Sequence, residues 1–117
     1  MRPAPKSAYI PRAGDIVWLD FDPQTGREQA KRRPALVMTE QSYNRASGLA
    51  VVCPLTSRRK PYPFALPVRI DKIDGAVLVD HVKSMDWMAR RAVFHSKADT
   101  ELLGTVRVYL GVLLGIG

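Results

Sequence analysis

Nine prolines and eight glycines interrupt this chain of 117 residues, and they divide its apolar residues into short runs. Such punctuation suits strands joined by turns far better than a helical bundle. The length fits one domain with a modest core, and 46% hydrophobic with 25% charged residues is the balance of an ordinary folded protein.

The first run, Asp15 to Phe21, mixes β-branched and aromatic residues, so it reads as a strand with Val17, Leu19 and Phe21 on one face. Asp22 to Arg33 is polar, contains Pro23 and Gly26, and cannot bury itself; it is expected to be an exposed loop. Pro34 is tolerated at the first position of a strand over Ala35 to Met38. One or two helical turns over Glu40 to Ser47 end at Gly48. An apolar third strand, Leu49 to Leu55, then runs out at Thr56 and Ser57 into a basic loop, Arg58-Arg59-Lys60. Phe64 to Ile70 reads as an edge strand, because Pro67 removes a ladder donor. Ala76 to Val82 and Arg91 to His95 are further strand candidates, with a turn at Asp74-Gly75. Leu103, Val106, Leu110 and Leu113 recur at helical spacing, and Ser96 or Asp99 is placed to cap that helix. Gly104 and Gly111 each cost such a helix about 1 kcal/mol relative to alanine, so packing against a sheet must hold it. The whole predicts a mainly β fold, a small bent antiparallel sheet closed by a C-terminal helix. Residues 1–8 read as a basic tail and residues 9–117 as a single domain.

Lysine and arginine total 18 against 11 acidic residues, a formal charge of +7. That makes nucleic acid the leading partner class, with a merely solvated basic surface as the plain alternative. The single cysteine, Cys53, cannot close an intrachain disulfide, and its apolar neighbours Val51 and Val52 predict a buried, inert thiol. A reducing compartment fits. Met1 to Lys6 has no apolar core of the signal-peptide kind, and Arg107 breaks the apolar run near the C-terminus. The expectation is a cytoplasmic protein with no membrane span. His81, His95 and Cys53 form no metal-ligand set at a recognised spacing, and the chain has neither a P-loop nor a Gly-x-Ser-x-Gly elbow. No metal or cofactor is expected.

Several separated segments occur in a recognisable order: Gly14 to Pro23, Gly26-Arg27-Glu28-Gln29, Arg33-Pro34-Ala35-Leu36-Val37, Cys53-Pro54-Leu55-Thr56-Ser57, Tyr62-Pro63-Phe64, and Asp80-His81-Val82-Lys83-Ser84 to Asp86-Trp87. In these the chain resembles the MazF/PemK family of toxin endoribonucleases, over roughly residues 9 to 114. The resemblance implies an SH3-like antiparallel β-barrel of the CcdB/MazF kind, a homodimer, an acidic antitoxin covering a basic groove, and catalytic roles for Arg33, Thr56 and Glu28.

The chemistry needs little equipment, because RNA carries its own nucleophile. A 2′-hydroxyl attacking the adjacent phosphorus gives a 2′,3′-cyclic phosphate and a 5′-hydroxyl without any metal, and the protein has only to align it and stabilise charge. Arg33 offers a permanently charged, planar fork of donors for two phosphate oxygens. A surface arginine paired with Glu28 is its plain alternative. Thr56 is suited to hold a non-bridging oxygen, with Ser57 assisting, although an ordinary strand-end threonine is the plainer reading. Glu28 is suited to orient Arg33 or accept the 2′-hydroxyl proton, against a solvated loop carboxylate. RNA binding is assigned to Arg27, Lys31, Ser57, Arg58 and Lys60 around the two basic loops, and to Asp80, His81 and Lys83 beside them, with Lys83 for phosphate and Asp80 or His81 for base edges. Many family members carry glutamine where His81 stands, though histidine also occurs, and the difference touches base preference rather than the cleavage step. Of the aromatic residues that stack on single strands, Trp18 is expected in the core, while Trp87 and Tyr62 are more open. The function expected is a sequence-specific, metal-independent endoribonuclease acting on single-stranded RNA. Two rivals stand beside it. One is a non-enzymatic gyrase poison like CcdB, disfavoured because the chain ends Leu114-Gly115-Ile116-Gly117 without the Trp-Gly-Ile of those proteins. The other is a plain RNA-binding barrel.

Overall fold

A computed structural model describes residues 9–21, 32–58 and 61–116. These residues form a seven-stranded antiparallel sheet and two α-helices. The strands are β1 (Asp15–Asp20), β2 (Arg32–Val37), β3 (Leu49–Thr56), β4 (Ala65–Ile70), β5 (Ile73–Leu78), β6 (Lys83–Asp86) and β7 (Val93–Lys97). Helix α1 spans Gln41–Ser47, α2 spans Thr100–Leu114, and a 3₁₀ turn covers Val79–His81. The strand order is β4-β5-β3-β2-β1-β7, with β6 paired to β3 off that path. The sheet curls into a half-barrel against α2. The basic tail assigned to residues 1–8 lies outside the described residues.

Alternation along β1 and β2 buries both faces of the sheet. Ile16 and Leu36 join Cys53, Leu55, Val77, Leu103 and Val106 in one core layer under α2. Their neighbours Val17, Leu19, Ala35 and Val37 pack with Val52, Met85 and Trp87 on the other side. The proline-bearing strand β4 ends the order as an edge strand, as Pro67 predicts. Helix α1 ends at Gly48, whose φ of 76° is the left-handed conformation glycine adopts without strain. Asp99, rather than Ser96, caps α2: its carboxylate accepts the Leu102 N–H at 2.7 Å.

Several boundaries differ from the sequence reading; the strand expected over Arg91 to His95 runs from Val93 to Lys97, and Arg32 and Arg33, expected in the loop, open β2. Asp74 and Gly75 lie inside β5, not in a turn; the chain reverses at Asp71, which takes φ 53°. The reason is steric, because a Cβ on Gly75 would stand 1.8 Å from the Thr56 carbonyl oxygen. The glycine allows a close approach of β5 to β3 instead of bending the chain. The expected strand Ala76 to Val82 stops at Leu78, and the 3₁₀ turn puts Asp80 and His81 off the ladder, with Lys83 opening β6. Pro34 stands third in β2, opposite Trp18, rather than first.

Candidate functional site

A cleft of about 660 Å³ opens where the C-terminal end of β3 meets the start of β2. Arg33 and Thr56 both line it. Their meeting follows from strand register: β2 and β3 pair Val37 with Val52, Leu36 with Cys53 and Ala35 with Pro54. Continued two residues, that register sets Arg33 level with Thr56 on neighbouring strands, on the face that carries Ala35 and Pro54.

Each side chain is held from behind. The Arg33 guanidinium lies over the Phe21 ring, 5.6 Å from its centroid, and Lys83 lies 5.5 Å from the same centroid. Thr56 Oγ1 accepts the Arg58 N–H at 3.2 Å, which fixes the hydroxyl rotor and leaves its proton for an incoming acceptor. Ser57 and Arg58 continue the wall beyond the strand, and His81 reaches the cleft from the 3₁₀ turn.

Of the remaining candidates, Asp80 does not line the cleft; it accepts the Tyr62 hydroxyl at 2.9 Å and stands 3.9 Å from His81 Nε2. Lys83 is joined to Arg33 through Phe21 rather than through the cleft lining. Glu28, Arg27, Lys31 and Lys60 lie outside the described residues. Cys53 is fully buried, and burial pushes its thiol up to about 12, which fits an inert core residue.

Trp18 is not in the core as expected, and Trp87, whose place the sequence left open, is buried. Trp18 lines the cleft and packs edge-on against His95, with ring centroids 6.0 Å apart. Trp87 is the buried one, donating its indole N–H to the Asn44 carbonyl at 3.0 Å. Alternation supplies the reason, because Val17 and Leu19 occupy the packed face of β1 and Trp18 takes the other.

Sequence reasoning also passed over a charged clamp at the cleft's edge. Asp20 receives Arg32 Nη1 at 2.7 Å and Arg91 Nε at 2.8 Å, and Arg32 Nη2 donates to the Arg91 carbonyl at 2.7 Å. Hydrogen bonds from Arg91 first, and from Arg32, hold the Asp20 carboxyl below its ordinary range. Arg32 is thereby fixed as a wall of the cleft, beside Arg33 in sequence but on the opposite face of the strand. Only the cross-strand register of Asp20 with Arg32 reveals this pair, and no short motif encodes it. Among the described residues, no group of three or more His, Cys, Asp or Glu side chains is placed to hold a metal ion. No helix among them is long and apolar enough to cross a membrane.

Residues 12–114 match the model of the PemK-like, MazF-like toxins of type II toxin–antitoxin systems. The chain belongs to this family. Endoribonuclease toxin MazF of Escherichia coli (strain K12) is 39% identical over 109 residues, covering 93% of this chain and 98% of the relative. Endoribonuclease toxin ChpB of the same strain is 40% identical over 85 residues, 68% of this chain and 72% of its own length. Among solved structures, a MazE–MazF complex from Deinococcus radiodurans superposes with a TM-score of 0.87 at 47% identity, covering 94% of this chain and 100% of the matched one. The fold is therefore the MazF/PemK one, a curled antiparallel half-barrel with a C-terminal helix, and the cleft lies within the matched residues.

Proposed function

We propose that this protein is the toxin of a type II toxin–antitoxin pair, a sequence-specific endoribonuclease that cuts single-stranded RNA without a metal ion. The observation that carries the reading is the shared cleft of Arg33 and Thr56, a fixed guanidinium and an oriented hydroxyl at the same level of adjacent strands. Family membership and the similarity to named endoribonucleases support it.

In this mechanism the scissile phosphate lies between Arg33 and Thr56. Arg33 donates to the non-bridging oxygens and stabilises the charge that develops as the 2′-oxygen attacks phosphorus; the Thr56 hydroxyl holds one of the same oxygens. Ser57 and Arg58 extend the contact along the backbone, with Lys83 adding attraction from beyond Phe21. Glu28, Arg27, Lys31 and Lys60, which lie outside the described residues, complete the assignment from the sequence.

Two partners belong to the proposal. A cognate acidic antitoxin suits a chain of charge +7, since strong complementary contacts must offset the ordering of an extended segment. A homodimer suits the apolar side chains that α2 leaves exposed, Val108, Val112 and Leu114. A cytoplasmic location follows from an RNA target and a reduced Cys53.

The test is cleavage of a mixed RNA pool with end analysis. Cutting should persist in excess chelator, leave 2′,3′-cyclic phosphate and 5′-hydroxyl ends, and stop on a substrate with 2′-deoxyribose at the cut. Arg33→Ala and Thr56→Ala should each abolish cutting while the thermal melt stays close to that of the parent. Normal cutting of the deoxy substrate would exclude the 2′-hydroxyl route.

A further inference from the structure

Two arginines at the cleft, neighbours in sequence, are held in opposite ways. Arg33 rests on the Phe21 ring and makes no ion pair among the described residues. Arg32 is bound on three sides: Nη1 donates to Asp20 Oδ1 at 2.7 Å, and Nη2 donates to the Arg91 carbonyl at 2.7 Å and the Trp18 carbonyl at 3.3 Å. Its side chain is still 30% exposed where it lines the cleft. Asp20 holds a second arginine as well, with Arg91 Nε at 2.8 Å and Nη2 at 3.3 Å. Arg91 takes φ 54°, a left-handed conformation that is unfavourable for a residue with a Cβ. In that conformation its side chain grips Asp20 and its carbonyl grips Arg32.

These bonds decide what Arg32 can recognise. A carboxylate at 2.7 Å offsets its charge and would repel a phosphate brought beside it, so Arg33, without an ion pair, is the better phosphate ligand. A guanidinium has five N–H donors; three are engaged here, which leaves one on Nε and one on Nη1. Fixed single donors on a neutralised group suit a neutral acceptor, and in RNA the sequence-bearing acceptors lie on base edges.

The surroundings suit a base too. Trp18 pairs with Pro34 and Asp20 with Arg32, so Trp18 and Arg32 project from the same face of neighbouring strands. Trp18 supplies an aromatic surface for stacking, and Leu55, Ile73 and Leu78 add apolar wall to the same cleft. Guanine O6 and uracil O4 accept a donor where adenine N6 and cytosine N4 present N–H groups, which would meet Arg32 donor to donor.

We propose that Arg32, locked by Asp20 and Arg91, is a specificity-determining residue that selects a keto base, guanine or uracil, stacked on Trp18 at one position of the RNA word. The inference rests on the nuclease reading above and adds one feature of its substrate.

The experiment maps cut ends across a mixed RNA pool for the parent, Arg32→Met and Arg91→Ala, with a thermal melt of each. Arg32→Met keeps an apolar stem and leaves Asp20 its Arg91 partner. The parent word should hold a strongly preferred keto base at one position at least. Arg32→Met should reduce that preference about tenfold or more in kcat/KM, the worth of one hydrogen bond from a charged group, and leave the other positions as they were. Arg91→Ala retains Arg32 but loosens Asp20, and should weaken the same preference by a smaller factor. On an RNA lacking the keto oxygen there, with 2-aminopurine for guanine or 2-pyrimidinone for uracil, the parent should slow and Arg32→Met should not. A parent word without a keto preference, an Arg32→Met word identical to the parent's, or an equal loss of cutting on every word overturns the assignment; the last would mark a phosphate contact or a strut. If Arg32→Met shows no cooperative melt, the Arg91→Ala word decides, and a parent-like preference there overturns the proposal. A folded parent protein that cuts no RNA refutes the nuclease reading itself, and this inference with it.

Discussion

Replacing Gly75 with alanine tests whether the position of Thr56 is set from outside its own strand. The added Cβ would stand 1.8 Å from the Thr56 carbonyl oxygen, 2.8 Å from its carbonyl carbon and 2.9 Å from the Ser57 Cα. Real Cβ atoms stay beyond about 3.0 Å, so the backbones must part by at least about 1.2 Å. All three atoms are main chain, and no side chain can rotate to relieve the overlap. β3 and β5 pair here through Leu55 with Val77 and Thr56 with Ala76, so the parting opens the end of this ladder. Overpacking of this kind costs about 1–3 kcal/mol, which in a domain of this size lowers the melting temperature by about 4–15 °C. The effect on catalysis is separable, since a misplacement near 1 Å at a reacting group costs about 10²-fold in rate. Circular dichroism should locate the melt, and cleavage of an RNA substrate should be timed well below it, where the variant is folded. Parent-like melting together with a parent-like rate would refute the argument that β5 presses Thr56 into place.

Other perturbations probe the supports of the site and fold. Asp20→Asn removes the anion between Arg32 and Arg91. The folded carboxyl titrates below its ordinary range, so its stabilisation is present above the unfolded value near pH 4 and fades as pH falls through the lower folded value. The difference in melting temperature between parent and variant should therefore be constant near neutrality and shrink below about pH 4; a constant gap down to pH 2 would contradict the clamp. Asn44 is fully buried, donates to the carbonyls of Pro11 and Thr39 at 2.8 and 3.0 Å, and accepts the Thr39 hydroxyl at 2.6 Å. Asn44→Ala orphans these groups and should cost about 2–4 kcal/mol in a urea titration, with a loss under about 1 kcal/mol disproving the network's role. Cys53 should resist thiol reagents in the native protein and react at once in denaturant; rapid native labelling would contradict a thiol pushed up to about 12 by burial.

The elements legible in the sequence are those written in local chemistry. Gly48 ends α1 and Asp99 starts α2 because a left-handed cap and an oxygen acceptor are properties of single residues. Pro67 marks an edge strand for the same reason. Arg33 and Thr56 were legible as candidates because short motifs carry them. Gly75 was misread as a turn because the same residue serves a bend and a close approach, and only the far strand distinguishes the two. Trp18 was expected in the core, while the alternation of Val17 and Leu19 already put it on the other face. The clamp of Asp20 with Arg32 and Arg91 depends on pairing across long sequence separations, which no local pattern records.

The location of the cleft has a topological cause. One edge of β3 serves two partners in turn: β6 pairs with Leu49 to Val52, and β5 with Leu55 and Thr56. Two strands sharing one edge must splay where the changeover occurs, and the 3₁₀ turn Val79–His81 is the chain that crosses from one to the other. The crossing segment can neither join a ladder nor be fully buried, so it exposes polar side chains, and one of them is His81. On the far edge, β2 pairs with the middle of β3 and then runs on to Arg33. Thr56, His81 and Arg33 therefore meet because β3 changes neighbours beside the point where its pairing with β2 ends. A substitution that alters the splay, as at Gly75, should disturb Thr56 and His81 together, so a Gly75→Ala variant should lose cleavage rate while its RNA affinity, which the proposed function assigns to dispersed cations, falls much less.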